Sequence, residues 1–577
     1  MDKYDLLIIG AGWHGLAMAK TYLHCDPACD LLIIDSANTL GGVWARERLY
    51  PGLKTNNVVG SYEFSDFPLD PAHYGIKPSD HIPGPVVHQY LVDFATRSDL
   101  HRRLRLQSEV QAVTMTSGEL WRIEYRGTIP DQRNTINARK VVVATGLTSE
   151  PNMPQLVQQH NFRGDIFHAK SLPTHAHGFN AATKDIVVIG ANKSAMDACY
   201  LAAQRSAPSA RVHMLIRPSG RGPSWMWRRQ GLTNFLSISR LASTRLFSWF
   251  NPNPLASETQ RLFQRSWIGV LICGLFWTLL DLCVLVSSQY IAPGSRTSLR
   301  PLRPRYSTFW MGNSLTVHNY DSDWFELALE DKIRVHHADI EGFGEDGDTV
   351  CLTSGLEIVH VGIVVACTGW KTKSNIVFDP PPVLESVDLK EEALTRGAGS
   401  WSNSELISHA KEKLHSEYPK LIFSGRRNQS KYPKDPQRRL YRHMVPLHLC
   451  AQQQHNNLAF IGFPQSVLTG LVAQAQALWI TAWMQGRLRT PPKDARSRSE
   501  WAHLQAEYHR MRHLGSAFPD LVLDSIPYID LQLGDLGLSS KRKKGWLKEL
   551  LGQYGPQDYK GIVDAWLKVR DNITELI

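Results

Sequence analysis

Nowhere in the 577 residues do two cysteines stand as C-x-x-C, and the 23 histidines include no H-E-x-x-H or similar tight cluster. A dithiol redox centre or a zinc site needs closely spaced thiolates or imidazoles, so neither chemistry is supported and no metal is expected. The eight cysteines (Cys25, Cys29, Cys199, Cys273, Cys283, Cys351, Cys367 and Cys450) fall mostly in apolar stretches. That usage suits small buried hydrophobes in a reducing compartment, not a disulfide framework. The start lacks a basic flank and a small-residue cleavage site, so no secretory signal is expected and the compartment reads as cytoplasmic. A long tract of one charge sign is also missing. Lys and Arg outnumber Asp and Glu by 64 to 54, a net +10, but they are spread along the chain. This is weak support for nucleic acid, which we do not expect as a partner, and better support for anionic ligands or membrane surfaces.

What is present is 43% hydrophobic and only 20% charged, enough to bury a large core divided among two or three domains. Tyr4-Asp-Leu-Leu-Ile-Ile-Gly10 reads as a buried parallel strand, and Leu16 to Tyr22 has helical character. Between them stands Gly10-Ala-Gly12-Trp-His-Gly15. Its three glycines suit a tight turn, close approach to a pyrophosphate, and close helix–strand packing. A second apolar strand, Asp30-Leu-Leu-Ile-Ile-Asp35, ends in a carboxylate twenty residues after Gly15, where a ribose needs an acceptor. A bare G-x-G-x-x-G is a weak signal; strand, glycines, helix, strand and acid in register are a strong one.

Asp185-Ile-Val-Val-Ile-Gly190-Ala-Asn192-Lys-Ser194-Ala195 repeats the pattern, with Asn192 and Ala195 at the second and third glycine places. Asn tolerates unusual backbone angles and Ala is still small, so the turn survives both. The strand from Val212 then ends in Arg217 instead of an acid, which suits the 2′-phosphate of NADP. The other reading of Arg217 is a solvated strand-end charge, with Arg221 near enough to substitute.

Between the two turns lies Phe162-Arg-Gly164-Asp-Ile-Phe-His168, and here the chain resembles the class B flavoprotein monooxygenases, the flavin-containing and Baeyer–Villiger enzymes. Leu172 departs from the aromatic that follows in the family. Gly41-Gly42-Val-Trp44 is similar to the family's flavin-ring turn, and Val143-Ala-Thr-Gly146 and Val365-Ala-Cys-Thr-Gly369 to its two A-T-G strand ends. Tyr441–Pro446, Leu458–Gly462 and Gln476–Trp479 follow the closing segment of the flavin-containing branch. The resemblance spans roughly residues 4 to 490.

It implies an α/β fold of two Rossmann-like dinucleotide-binding domains, the NADP domain inserted in a discontinuous FAD domain. The expected boundaries are 1–160 and 365–490 for FAD, 161–364 for NADP with an insertion at about 225–300, and 491–577 for a C-terminal helical extension. It also implies FAD and NADPH as cofactors, molecular oxygen as co-substrate, and a dry site around a C4a-(hydro)peroxyflavin. Cofactor contacts are then expected from Gly10, Gly12, Gly15, Asp35, Gly42, Trp44, Thr55, His168, Gly190, Ser194, Arg217 and Gly369. His168 is read as a positioning residue for the linker and the nicotinamide cofactor. Within Tyr50-Pro-Gly-Leu-Lys54, the first three residues resemble the Baeyer–Villiger branch, whereas Thr55-Asn56 resembles the flavin-containing one. Asn56 is the expected catalytic residue, a neutral amide that donates without ionising; tying down a loop is its plain alternative. Arg442 and His443 precede an apparent flavin turn and could equally be surface residues.

The substrate is read as a small hydrophobic molecule, of secondary metabolism on the strength of the specialised insertion, oxygenated by electrophilic transfer. Baeyer–Villiger insertion into a ketone is the rival within enzymes, and a catalytically silent membrane-associated flavoprotein scaffold the rival outside them. From Trp267 to Ser287 the chain is apolar except for Thr278, Asp281 and the last serine. A lone span would split one catalytic unit across a membrane, so two readings stand: a buried helix of a substrate lid, or a hairpin dipping into one leaflet. In the extension, Lys541-Arg-Lys-Lys544 precedes apolar sets at helical spacing, which we read as helices packing on the body.

Overall fold

A computed structural model describes residues 2–116, 120–129, 132–228, 238–290, 299–312, 315–372, 374–379, 403–422, 439–447, 456–490, 494–514 and 518–574. Cys450 lies outside the described residues.

Leu6 to Ile9 are buried on both sides of the strand Lys3–Ile9, as a run with no polar alternation demands. That strand pairs in parallel with Leu31–Ile34 on one side and Arg133–Val143 on the other. Leu104–Arg105 and Leu458–Phe460 extend the parallel part at its two edges. The long strand Arg133–Val143 runs on into an antiparallel meander with Trp121–Arg126 and Glu109–Met115. A second, wholly parallel sheet runs in the order Ile333–His336, Val212–Leu215, Asp185–Ile189, Val361–Ala366, Asp165–His168. The architecture is therefore α/β with two Rossmann-like sheets. The expected boundary between residues 364 and 365 falls inside a strand of the second sheet, and the chain rejoins the first sheet at Val377–Asp379.

Helix Thr469–Met484 is buried along its whole length, between helices Trp13–Cys25 and Ser525–Asp535. The extension supplies Tyr559, Ile562, Val563 and Trp566 to the same core, so its last helix packs on the body as expected, while Trp546, Leu547 and Leu551 face outward. A parallel pair, Trp225–Trp227 with Leu315–Val317, brackets the insertion. Within it Ser257 and Gln260 form a capping box on helix Glu258–Arg265. Helix Trp267–Ser287 follows, with Cys273, Trp277, Leu280 and Val284 inward and a row of large apolar side chains outward. A fully buried lid helix is thus not what the fold builds.

Candidate active site

The first glycine turn is dictated by backbone. Gly10 has φ +116°, a region closed to most side chains, and a Cβ there would overlap the carbonyl of Ala144. A Cβ on Gly15 would overlap the carbonyl of Gly10, so helix Trp13–Cys25 sits this close to its strand only without one. Gly12 differs: the nearest atom to a Cβ there is the Gly42 Cα at 3.5 Å. The fold alone thus does not demand glycine at this place, and the helix it starts carries no side-chain cap on its first N–H groups. The N–H of Gly41 donates to Ala11 O at 2.9 Å, which stitches the Gly41-Gly42 turn onto the glycine turn. His14 Nε2 and Trp13 Nε1 are buried there without a hydrogen-bond partner.

Asp35 accepts from the N–H of Ala11 at 2.6 Å and of Ala37 at 2.8 Å, one on each carboxylate oxygen. Burial raises its pKa against those two N–H donors. Each oxygen keeps a lone pair for a ribose hydroxyl. Trp44 is buried, and its indole N–H donates to the Tyr62 hydroxyl at 3.1 Å.

Strand Lys54–Val58 alternates as strands do. Thr55 points inward. Its hydroxyl donates to Asn57 O at 2.6 Å and accepts from the N–H of Ile82 at 3.0 Å, so the expected cofactor contact is replaced by a hairpin tie. Asn56 points outward, exposed. The alternative that it ties down its loop is not met; Asn57 does that instead, donating to Val467 O at 2.8 Å.

At the second turn Gly190 has φ +146°, and a Cβ would come 2.6 Å from Cys367 O. Ala195 is buried at the third glycine place, and Ser194 is exposed on the first turn of helix Lys193–Arg205. Arg217 leaves the end of its strand half-exposed. Arg305 holds the loop that follows by donating to Pro218 O at 3.0 Å.

His168 is buried, and both ring nitrogens are used within the protein. Nε2–H donates to Gly369 O at 2.9 Å, and Nδ1 accepts from the N–H of Lys170 at 3.1 Å. That pattern fixes the neutral tautomer, and burial lowers the pKa. No nitrogen is left for a cofactor, so the histidine acts on Gly369, which has φ +83° at the turn out of the second sheet. Arg442 and His443 are not surface residues. Arg442 forks Asp535 at 2.9 and 3.0 Å, and His443 is 3% exposed.

A half-buried polar network joins these parts, and the sequence reading missed it. Lys193 Nζ donates to Asp197 at 2.5 Å, to Asn319 Oδ1 at 2.7 Å and to the Tyr320 hydroxyl at 3.0 Å, using all three protons. Asp197 also accepts from the hydroxyls of Tyr50 at 2.8 Å and Tyr320 at 2.7 Å. Asn319 donates onward to Thr55 O at 3.0 Å, the residue before Asn56. Burial holds Lys193 below its ordinary pKa while Asp197 pulls it back up, and burial with Asp197 keeps both phenols far above theirs. The Lys193–Asp197 spacing was readable as a helix pair, but nothing in the sequence places Asn319 or Tyr50 beside it. Replacing Lys193 with Met should cost about 1.5–3 kcal/mol, because it removes a charge-assisted hydrogen bond from a half-buried carboxylate that keeps only its two phenol donors. Urea unfolding of the variant checks this, and a loss under about 1 kcal/mol would contradict the network's role.

Next to this network a cleft of about 570 Å³ is lined by Lys54, Lys77, Arg228, Tyr320, Asp321 and Asp323 among others. So charged a lining does not suit an apolar molecule.

A family model, L-lysine 6-monooxygenase/L-ornithine 5-monooxygenase, matches residues 87–224. A protein of Aspergillus sclerotiorum called FAD-dependent monooxygenase resA is 32% identical over 98% of both chains. A protein of Aspergillus nomiae called FAD-dependent monooxygenase rstn6 is also 32% identical, again over 98% of both. Among solved structures, an open crystal structure of cyclohexanone monooxygenase superposes with a TM-score of 0.60 at 15% identity, over 92% of this chain and 98% of that one.

Proposed function

The chain belongs to the FAD-dependent monooxygenases, and from that premise we propose that it uses NADPH and oxygen to oxygenate a hydrophobic organic molecule of secondary metabolism by electrophilic transfer. FAD, when bound, supplies the relay of electrons to oxygen. The residues fit it: Gly12 is a glycine the fold itself does not require, the uncapped helix offers N–H groups, Asp35 offers lone pairs, and His14 and Trp13 hold unused donors or acceptors. Gly10, Gly15 and Gly42 shape that cradle, and Trp44 packs behind its turn. Asn56 stands outward with a neutral amide to orient the reacting oxygen without taking a proton.

The observation that carries the reading is the second strand–turn–helix, where Gly190 packs the turn against Cys367, Ser194 is exposed on the first turn of the helix, and an arginine, not an acid, follows the next strand. Arg217 is to hold the 2′-phosphate. Arg217→Ala should raise the KM for NADPH about ten- to hundredfold and leave that for NADH nearly unchanged, as expected for one charge-assisted contact of about 1.4–2.8 kcal/mol. Equal effects on both would remove Arg217 from that role. The division into a discontinuous FAD unit, an inserted NADP unit and a helical extension follows the two sheets and belongs to the same proposal.

Oxygen insertion into a ketone is the second reading, favoured by Tyr50-Pro51-Gly52. Incubation with a ketone and with a thioether, followed by product analysis, separates the two. NADPH consumption that no substrate stimulates, with no oxygenated product from either, would leave the silent scaffold. Contact with a membrane surface through residues 267–287 completes the proposal.

A further inference from the structure

Helix Trp267–Ser287 is about 30 Å long. Its inward residues Gly269, Cys273, Trp277, Leu280 and Val284 recur from end to end, so the whole helix lies along the protein. The Trp277 indole donates to Phe250 O at 2.8 Å, and Asp281 accepts from the N–H and hydroxyl of Thr308 at 2.8 and 2.5 Å. The one charge in the helix is therefore satisfied on the protein side. A helix held along its full length cannot cross a bilayer without dragging the body with it.

The opposite side carries Trp267, Leu271, Leu275, Leu279, Leu282 and Val286, a stripe at helical spacing in which Trp267 is 77% and Leu271 64% exposed. Leu262 on the preceding helix adds to it. So large a continuous apolar surface marks an interaction site. Its chemistry decides the partner. Thr278, the polar side chain within the stripe, spends its hydroxyl on Gly274 O at 2.9 Å. Protein interfaces carry roughly one hydrogen bond per 100–200 Å², and this stripe offers almost none. Lipid needs none.

A second element has the same character. Helix Trp546–Leu551 exposes Trp546 at 77%, with Leu547 and Leu551, and is flanked by exposed Lys541, Lys544 and Lys548. Both helices pack on the same short helix, Arg245–Phe250. Phe247 meets Phe276 and Trp277 of the first, and Arg245 pairs with Glu549 of the second at 2.5 Å. Tryptophans and lysines beside aliphatic side chains fit the headgroup region of an anionic leaflet.

We propose that the enzyme docks on one leaflet of an anionic membrane, with helix Trp267–Ser287 lying in the plane of the interface and helix Trp546–Leu551 as a cationic second foot. This holds whatever the substrate, and its test does not read catalysis. Full-length FAD-loaded protein is floated with vesicles of phosphatidylcholine alone and with about a third phosphatidylserine, near the anionic share that gives a strongly negative surface. It should float with both and about tenfold better with the second. Leu271→Glu/Leu275→Glu/Leu279→Glu should lower flotation at least about tenfold on either vesicle, with unchanged FAD content and thermal unfolding, because all three positions are exposed. Lys541→Glu/Lys544→Glu/Lys548→Glu should remove only the preference for phosphatidylserine. Should the triple leucine variant lose its flavin, quenching of Trp fluorescence by brominated lipid, compared between native protein and Trp267→Phe, gives the same answer. Native protein that never floats, or leucine substitutions without effect, would overturn the proposal. So would a native dimer that Leu275→Glu turns into a monomer, which would show a second copy on the stripe.

Discussion

Gly12→Ala is expected to purify folded but almost colourless, with bound FAD at least tenfold below native, while Gly15→Ala is expected to lose the fold itself. The two substitutions add the same methyl group three residues apart, yet it meets different things. At Gly15 it would be driven into the carbonyl of Gly10, a backbone atom that cannot yield without parting the helix from its strand. At Gly12 it meets only Gly42 Cα at 3.5 Å, an ordinary contact, so the apoprotein accommodates it. On the proposed reading the methyl takes the approach path of the pyrophosphate, where each tenfold loss of affinity corresponds to about 1.4 kcal/mol. The ratio of flavin to protein absorbance gives the first quantity and thermal unfolding the second. Full flavin content in Gly12→Ala would refute the assignment of this turn.

The second large effect is acid lability. His443, His509 and His513 form a buried row, with ring centroids 5.4 Å and 5.8 Å apart along it. Burial, aided by neighbouring arginines, lowers His443 to about 3 and the other two far below 6.5. Asp520, 3.4 Å from His513, favours the charged ring, but burial and Arg512 outweigh it. These histidines stay neutral in the folded chain and take up protons below pH 6.5 once it unfolds. Their contribution is complete above pH 6.5 and is withdrawn as pH falls from there towards 3. Each costs about 1.4 kcal/mol per pH unit, about 4 for three. Asp524 works the other way, because burial raises it to about 6, and it returns about 1.4 per unit below that. The net loss of nearly 3 kcal/mol per unit exhausts an ordinary stability of about 5–15 kcal/mol within a few units. Urea titrations at successive pH values should show this slope, and His443→Gln should reduce it by about one proton. A native slope below one proton would rule the row out as its cause.

How far the sequence could be read follows from where each constraint resides. The two glycine turns were legible because backbone geometry forces them locally, although their spacing could not separate Gly10 and Gly15, which the fold needs, from Gly12, which it does not. Thr55 and Asn56 looked like one motif, yet strand alternation sends them to opposite sides. Helix Ala495–Arg512 reads as a solvated charged segment, and yet His509 and Arg512 are wholly buried where it meets the closing segment and the insertion. No local pattern announces such burial, because the covering residues, Asn251 and Phe309 among them, come from far along the chain. The Lys193 network escaped notice for the same reason.

That network also holds the two units together. Tyr50 and Thr55 belong to the segment beside the first sheet and Lys193 and Asp197 to the helix of the second; Tyr50 reaches across to Asp197, and Asn319 reaches across to the Thr55 carbonyl. To part the two units here would break the Tyr50–Asp197 and Asn319–Thr55 hydrogen bonds, while Lys193 would keep Asp197, Asn319 and Tyr320 and the carboxylate would keep Lys193 and Tyr320. The stitch across the seam is therefore the Tyr50 phenol on the Asp197 carboxylate and the Asn319 amide on the Thr55 carbonyl, two bonds that lend the lysine–carboxylate pair to the other unit without making it depend on that unit.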